Sequence, residues 1–165
     1  MQNRLFFLCP SDHLEPVIDR VYGDKKYYLT SLGNSIEFTK KMISEVEDLL
    51  QSSQVNHITF VLSKTNTIAA DALAQKEFSE ECGLMCFQEK ICRCERTAKR
   101  LWQKDDYHFL ILSYYLNAKI RELKFGLKHW YNHQPKVNGK IYYKEDGAFY
   151  DIHHDLTCRE FPFMN

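Results

Sequence analysis

The sequence predicts an α/β protein: a central, mostly parallel β-sheet flanked by helices. Three observations predict it. Short continuous apolar runs such as Leu5-Phe6-Phe7-Leu8-Cys9 have the character of strands covered on both faces. Segments with apolar residues at helical spacing lie between them, so strand and helix alternate from the N-terminus onward. The chain has 165 residues and no repeat, low-complexity stretch or linker, which suits a single domain over residues 1–165.

The first strand, Leu5 to Cys9, is ended by Pro10 and Ser11. A short helix follows from about Leu14 to Tyr22, with Pro16 in the tolerant first turn and Gly23 as its stop. Lys26 to Thr30 reads as the second strand. Ile36, Met42, Ile43, Val46, Leu49 and Leu50 then fall on one helical face. Asn34 and Glu37, three apart, resemble a capping box at its start, and polar Gln51 to Gln54 closes it.

His57 to Ser63 is rich in β-formers and reads as the third strand. Thr65 or Thr67 is expected to cap the next helix, which runs to about Cys82, where Gly83 interrupts. A further helix spans about Phe87 to Gln103. Asp106 to Trp130 reads as a long helical region, within which Phe109 to Leu112 fits a strand equally well. Asn138-Gly139 reads as a turn. Ile141 to Tyr143 and Ala148 to Ile152 read as strands around Asp146-Gly147.

Composition narrows the function classes. Lys plus Arg equals Asp plus Glu at 22 each, so charge predicts neither nucleic acid nor an anionic membrane as partner. The densest apolar run, Phe109 to Leu116, falls far short of the roughly 20 residues that cross a bilayer. Met1 to Arg4 leads straight into a strand without a secretory pattern, which predicts a cytoplasmic protein. The six cysteines are then expected as free thiols.

In a parallel sheet, ligands bind outside the carboxyl ends of the strands, where the strand order reverses. That rule singles out Cys9 to His13 and Ser63 to Thr67. These segments, with others in the same order, resemble the β-class carbonic anhydrases. Leu8-Cys9-Pro10-Ser11-Asp12 is similar to that family's Cys-x-Asp-x-Arg motif. Gly33-Asn34 and Ser35-Ile36-Glu37-Phe38 resemble its Gly-Asn turn and the helix start beyond it. Val55 to Val61 resembles the strand before its His-x-x-Cys motif. Asn117, Ile120, Arg121 and Leu123 are similar to its late helix, and Gly147 to Ile152 to its penultimate strand.

The resemblance implies a zinc site whose ligands are the cysteine of the first motif and the histidine and cysteine of the second. Cys9 matches the first of these. Ser11 stands where the family has Asp, His13 where it has Arg, Ser63 where it has the zinc histidine, and Asn66 where it has the second cysteine. Catalytic zinc takes three N, S or carboxylate ligands and an open position for water. The expectation is therefore a zinc-free relative that does not hydrate carbon dioxide and holds no cofactor.

The degenerate site comprises Cys9, Ser11, Asp12, His13, Ser63, Lys64 and Asn66. One ligand for it is a small anion, with Lys64 supplying charge near Cys9 and Asp12; the plainer alternative has Lys64 in solvent. Two further alternatives stay open. One is a zinc hydratase or hydrolase with ligands Cys9, Asp12 and His13. The other is an enzyme with Cys9 as nucleophile and His13 as base. The resemblance also implies a homodimer.

Other candidates carry plainer readings. His57 starts its strand, roughly 20 Å from the site at about 3.3 Å per residue. Cys82, Cys86, Cys92 and Cys94 contain no C-x-x-C pair and read as ordinary helix thiols. His153, His154 and Asp155 read as an exposed polar cluster. Tyr114, Tyr115, Trp130 and Tyr131 are expected to fill the core rather than line a pocket or an interface.

Overall fold

The apolar run at the N-terminus becomes the strand β1, Asn3–Leu8, whose residues from Leu5 onward are buried. In this computed structural model the described residues are 2–23, 25–76, 78, 82–101, 106–129 and 134–158. Four more strands join β1: β2 (Lys25–Thr30), β3 (Val55–Ser63), β4 (Lys136–Tyr143) and β5 (Ala148–Asp151). The order across the sheet is β2-β1-β3-β4-β5. All neighbours are parallel except β4 and β5, which pair antiparallel. The mostly parallel α/β sheet expected from the sequence is the one observed.

Alternation along β1 sends Leu5, Phe7 and Cys9 to one face and Phe6 and Leu8 to the other. The first face carries the main core. Over it lie α2 (Lys40–Ser52), α3 (Thr67–Leu73), α4 (Cys82–Leu101) and α5 (Tyr107–Gly126). Phe7 and Phe60 stack there, ring centroids 4.5 Å apart, with Phe38 edge-on to both. The second face is covered by α1, Glu15–Val21, whose Ile18, with Leu14 just before it, packs on Phe6, Leu8 and Val61.

Several local expectations are corrected. Asn34 does not cap a helix. It lies buried at φ 56° in a 3-10 turn, and its Nδ2 donates to Val61 O at 2.8 Å. The helix after it begins at Lys40, because Thr39 Oγ1 accepts the Met42 N–H. Neither Thr65 nor Thr67 caps α3. Asn66 does, accepting the Ala69 N–H at 2.9 Å. That helix ends at Leu73, well before Cys82, and Gln75 just beyond it takes a positive φ of 55°.

Gly83 does not interrupt a helix; it sits in the first turn of α4, close to Ser35. Phe109 to Leu112 is helical. Asp106 accepts the Phe109 N–H, and the following turns of α5 are buried nearly all round, as suits a helix sandwiched in the core. Asn138-Gly139 is not a turn but part of β4. Thr59 Oγ1 donates to Asn138 Oδ1 across the sheet, and a Cβ on Gly139 would come within 2.7 Å of Ile152 Cδ1. Packing between β4 and the chain after β5 decides this position, overriding turn propensity.

Tyr115 is wholly buried and Tyr114 nearly so, as core residues; Gln103, Trp130 and Tyr131 lie outside the described residues. Among the described residues no helix is long and apolar enough to cross a membrane.

Candidate functional site

The chain runs from β1 outward to β2 and returns past β1 to β3, so the strand order reverses between β1 and β3. The carboxyl ends of these two strands bring together most of the residues that the sequence singled out.

Cys9 leaves β1 completely buried. A 3-10 turn, Pro10–Asp12, follows, and His13 ends it in the left-handed region at φ 50° with an exposed side chain. The Cys9 sulfur lies 3.0 Å from Ser11 Oγ and accepts the Gly33 N–H at 3.1 Å. Glycine is required at position 33. Its φ is +60°, and a Cβ there would stand 2.7 Å from the Phe87 ring.

The 3-10 turn aims the Asp12 carboxylate at the end of β3. Oδ2 accepts the Ser63 N–H and Oδ1 accepts Asn66 Nδ2, each at 2.8 Å. Asn66 thereby uses both ends of its amide, the oxygen as helix cap and the nitrogen toward Asp12. Ser63 Oγ accepts the Thr65 N–H at 3.3 Å and meets Thr65 Oγ1 at 3.2 Å. Burial pushes the Asp12 carboxyl above its ordinary 3.8, against the opposing pull of the bonds from Ser63 and Asn66 and the nearby His13.

Lys64 turns elsewhere. Its Nζ lies 2.5 Å from Asp106 Oδ2 and 4.3 Å from the centre of the Tyr143 ring. Tyr143 OH donates to the same carboxylate oxygen. Burial works to raise the Asp106 carboxyl, but the bonds from Lys64, Tyr143 and the Phe109 N–H outweigh it and hold the group below 3.8. Burial, together with the contact to Asp106, pushes the Tyr143 phenol up. Asp106 and Tyr143 were missed in the sequence. An Asp just before an apolar helical run is a recognisable cap, but its pairing with Lys64 is a long-range fact.

This arrangement does not fit zinc. Both Asp12 oxygens accept protein hydrogen bonds, His13 points to solvent, and Ser63 and Asn66 are poor ligands. Among the described residues no group of three His, Cys, Asp or Glu side chains is placed to hold a metal ion, so Cys9, Asp12 and His13 do not make one. Cys9 is buried against Ser11 and Gly33, while the His13 side chain is exposed.

The remaining candidates are dispersed. His57 Nδ1 bonds with Asn56 Oδ1 at 2.8 Å, and His153, His154 and Asp155 are exposed. Cys86 is exposed and Cys92 half-buried on α4. A cavity of about 370 Å³ lies beside Phe87, between α4, α5 and the loop before α2. On its wall Lys119 is buried, donating to Ile36 O at 2.5 Å and to Glu122 at 2.7 Å. Tyr115, on the same wall, donates its hydroxyl to Asn34 O at 2.9 Å.

No protein-family model matches the chain, and no curated protein matches it in sequence. Solved structures do. The β-carbonic anhydrase CafA of the fungal pathogen Aspergillus fumigatus superposes with a TM-score of 0.71 at 14% identity, covering 92% of this chain and 75% of that one. Two tetrameric β-carbonic anhydrases from the filamentous ascomycete Sordaria macrospora are represented by a match with a TM-score of 0.69 at 13% identity, covering 91% and 80%. The β-carbonic anhydrase CafD of Aspergillus fumigatus gives 0.66 at 17%, covering 93% and 90%. The chain has the fold of the β-carbonic anhydrases.

Proposed function

We propose that this chain is a metal-free protein on a β-carbonic anhydrase fold, working in the cytoplasm without hydrating carbon dioxide. The observation that carries this reading is the engagement of Asp12. Its carboxylate is spent on the Ser63 N–H and the Asn66 amide, at the two positions where the sequence resemblance expects a zinc histidine and a zinc cysteine. Of the three positions that the resemblance assigns to zinc, only Cys9 carries a strong zinc donor, and its sulfur already accepts a hydrogen bond from Gly33.

Binding, rather than catalysis, is the role we assign to the carboxyl ends of β1 and β3. Ligand recognition at the switch point falls to Cys9, Ser11, Asp12, His13, Ser63, Lys64 and Asn66. A small anion there would have to draw Lys64 away from Asp106 and Tyr143, so anion affinity rests on that exchange. Self-association fits this reading, since the Sordaria macrospora proteins of the same fold are tetrameric.

The test is elemental analysis of protein purified without a metal-chelating tag, followed by a carbon dioxide hydration assay. Sub-stoichiometric zinc and a rate equal to the uncatalysed one are expected. One tightly held zinc per chain, with hydration above background, would overturn the proposal. Titration with bicarbonate, phosphate and sulfate, repeated on Lys64→Ala, tests the anion. Equal affinity in both proteins removes Lys64 from recognition.

A further inference from the structure

Away from the candidate site, the described end of the chain lies across α5 and stops against α4. Asn117 Nδ2 donates to His153 O at 2.6 Å, and Arg121 Nη1 donates to Leu156 O at 2.8 Å. His153 also meets the Phe109 ring edge-on. This strap delivers Cys158 to Cys94, 64 positions earlier in sequence, with the two sulfurs 3.4 Å apart. The sequence grouped Cys94 with its helical neighbours instead, but Cys92 faces another way, toward Ala72 O at 3.7 Å.

The two sulfurs differ in setting. Cys94 is buried, and the neighbouring sulfur together with burial pushes its thiol up. Cys158 is only half-buried. Contact with the Cys94 sulfur holds its thiol below the ordinary 9.0, aided by Thr97 and by the guanidinium groups of Arg121 and Arg93. A half-buried sulfur 3.4 Å from a buried one is the arrangement of an attacking and a resolving cysteine.

We infer that Cys158 and Cys94 form an oxidisable dithiol site, in which a peroxide attacks at Cys158 and Cys94 closes a Cys94–Cys158 disulfide. In the first step the Cys158 thiolate attacks one peroxide oxygen. An S–O bond forms, the O–O bond breaks, and the other oxygen leaves as hydroxide, which takes up a proton. In the second step the Cys94 sulfur, giving up its proton, attacks the sulfenic sulfur. The S–S bond forms, the S–O bond breaks, and water leaves. Two thiols are oxidised by two electrons, and one hydrogen peroxide becomes two waters. The sulfurs must close from 3.4 Å to about 2.05 Å.

The product would staple the strap over α5 onto α4. Reduced full-length protein treated with excess hydrogen peroxide at neutral pH, alkylated and mapped without reduction, tests this. The expected result is one dominant linked peptide joining Cys94 and Cys158, lighter by two hydrogens and reversed by dithiothreitol. Cys94→Ser should leave Cys158 as a sulfenic acid that dimedone traps, and Cys158→Ser should abolish the link. The wild-type map stands even where a variant fails to fold. Absence of the Cys94–Cys158 peptide overturns the inference. So does Cys158 alkylation no faster in the native protein than in the urea-unfolded chain.

Discussion

Asp12 and Asn66 are joined side chain to side chain at 2.8 Å across the mouth between β1 and β3. Asn66 donates to the charged form of the carboxyl, so Asn66→Ala should raise the Asp12 midpoint further above 3.8. The folded value already exceeds the unfolded one. This carboxyl therefore favours the fold most below pH 3.8, and its contribution falls as pH rises through the folded value. A carbon-detected titration of the Asp12 carboxyl in both proteins checks the prediction. A wild-type midpoint below 3.8, or a lower one in the variant, contradicts it.

Gly33→Ala should be among the more damaging single-methyl changes in the chain. The left-handed backbone costs roughly 1–2 kcal/mol for a residue with a Cβ. The new methyl would also stand 2.7 Å from Phe87, and overpacking of this kind costs about 1–3 kcal/mol. In a Phe87→Leu background the second part should shrink while the first persists. Urea unfolding of the four proteins separates the two, and a fully additive cycle would argue against the ring contact.

Glu122 bridges two ammonium groups, Lys90 at 2.6 Å and Lys119 at 2.7 Å. Burial works to raise its carboxyl, but Lys119 and Lys90 outweigh that and hold it below 4.5. Its stabilisation is then present above pH 4.5 and lost as pH falls through the folded value. Glu122→Gln should cost about 1–3 kcal/mol at neutral pH, since it weakens the pairing of a buried ammonium. The difference from wild type should narrow in acid. Unfolding free energies measured across the acid range would show a constant gap if the ion pairs contribute nothing.

Asp106 both caps α5 and pairs with Lys64. The pair is about a third exposed at each side chain, so its charge is worth at most about 1 kcal/mol. The cap is worth typically about 1 kcal/mol, up to about 2. Asp106→Asn keeps an acceptor for the Phe109 N–H, whereas Asp106→Ala loses both roles. Thermal melts should rank wild type above Asn and Asn above Ala. Equal losses in the two variants would shift the weight from the cap to the charge.

The sheet was legible because strand alternation and burial are local in sequence. Leu5 to Cys9 is a continuous apolar run and His57 to Ser63 is rich in β-formers, and these segments fall in the strands β1 and β3. The strand-end rule points to Cys9 and Ser63 before any contact is known, and the reversal of strand order does fall between β1 and β3. Long-range contacts were not legible. Asn34 reads as a cap until Val61 and Tyr115 claim it from β3 and α5. Asn138-Gly139 reads as a turn until Thr59 and Ile152 hold it in β4. Lys64 reads as a solvent lysine or as a charge beside Cys9 and Asp12 until Asp106, 42 positions on, takes it.

The helical cover of the sheet is lopsided. Among the described residues, four helices shield the side of Leu5, Phe7 and Cys9, while the side of Phe6 and Leu8 has a single helix of seven residues, α1, eked out by the rings of Tyr22, Tyr28, Tyr142 and Phe149. Lifting α1 withdraws little more than Leu14, Val17 and Ile18 from apolar contact, whereas freeing α5 dismantles the main core. Breathing of the native protein therefore begins at this thin wall, and amide protons of α1 exchange with solvent long before those of α5. The innermost strand thus has one well-insulated side and one that a brief local excursion uncovers.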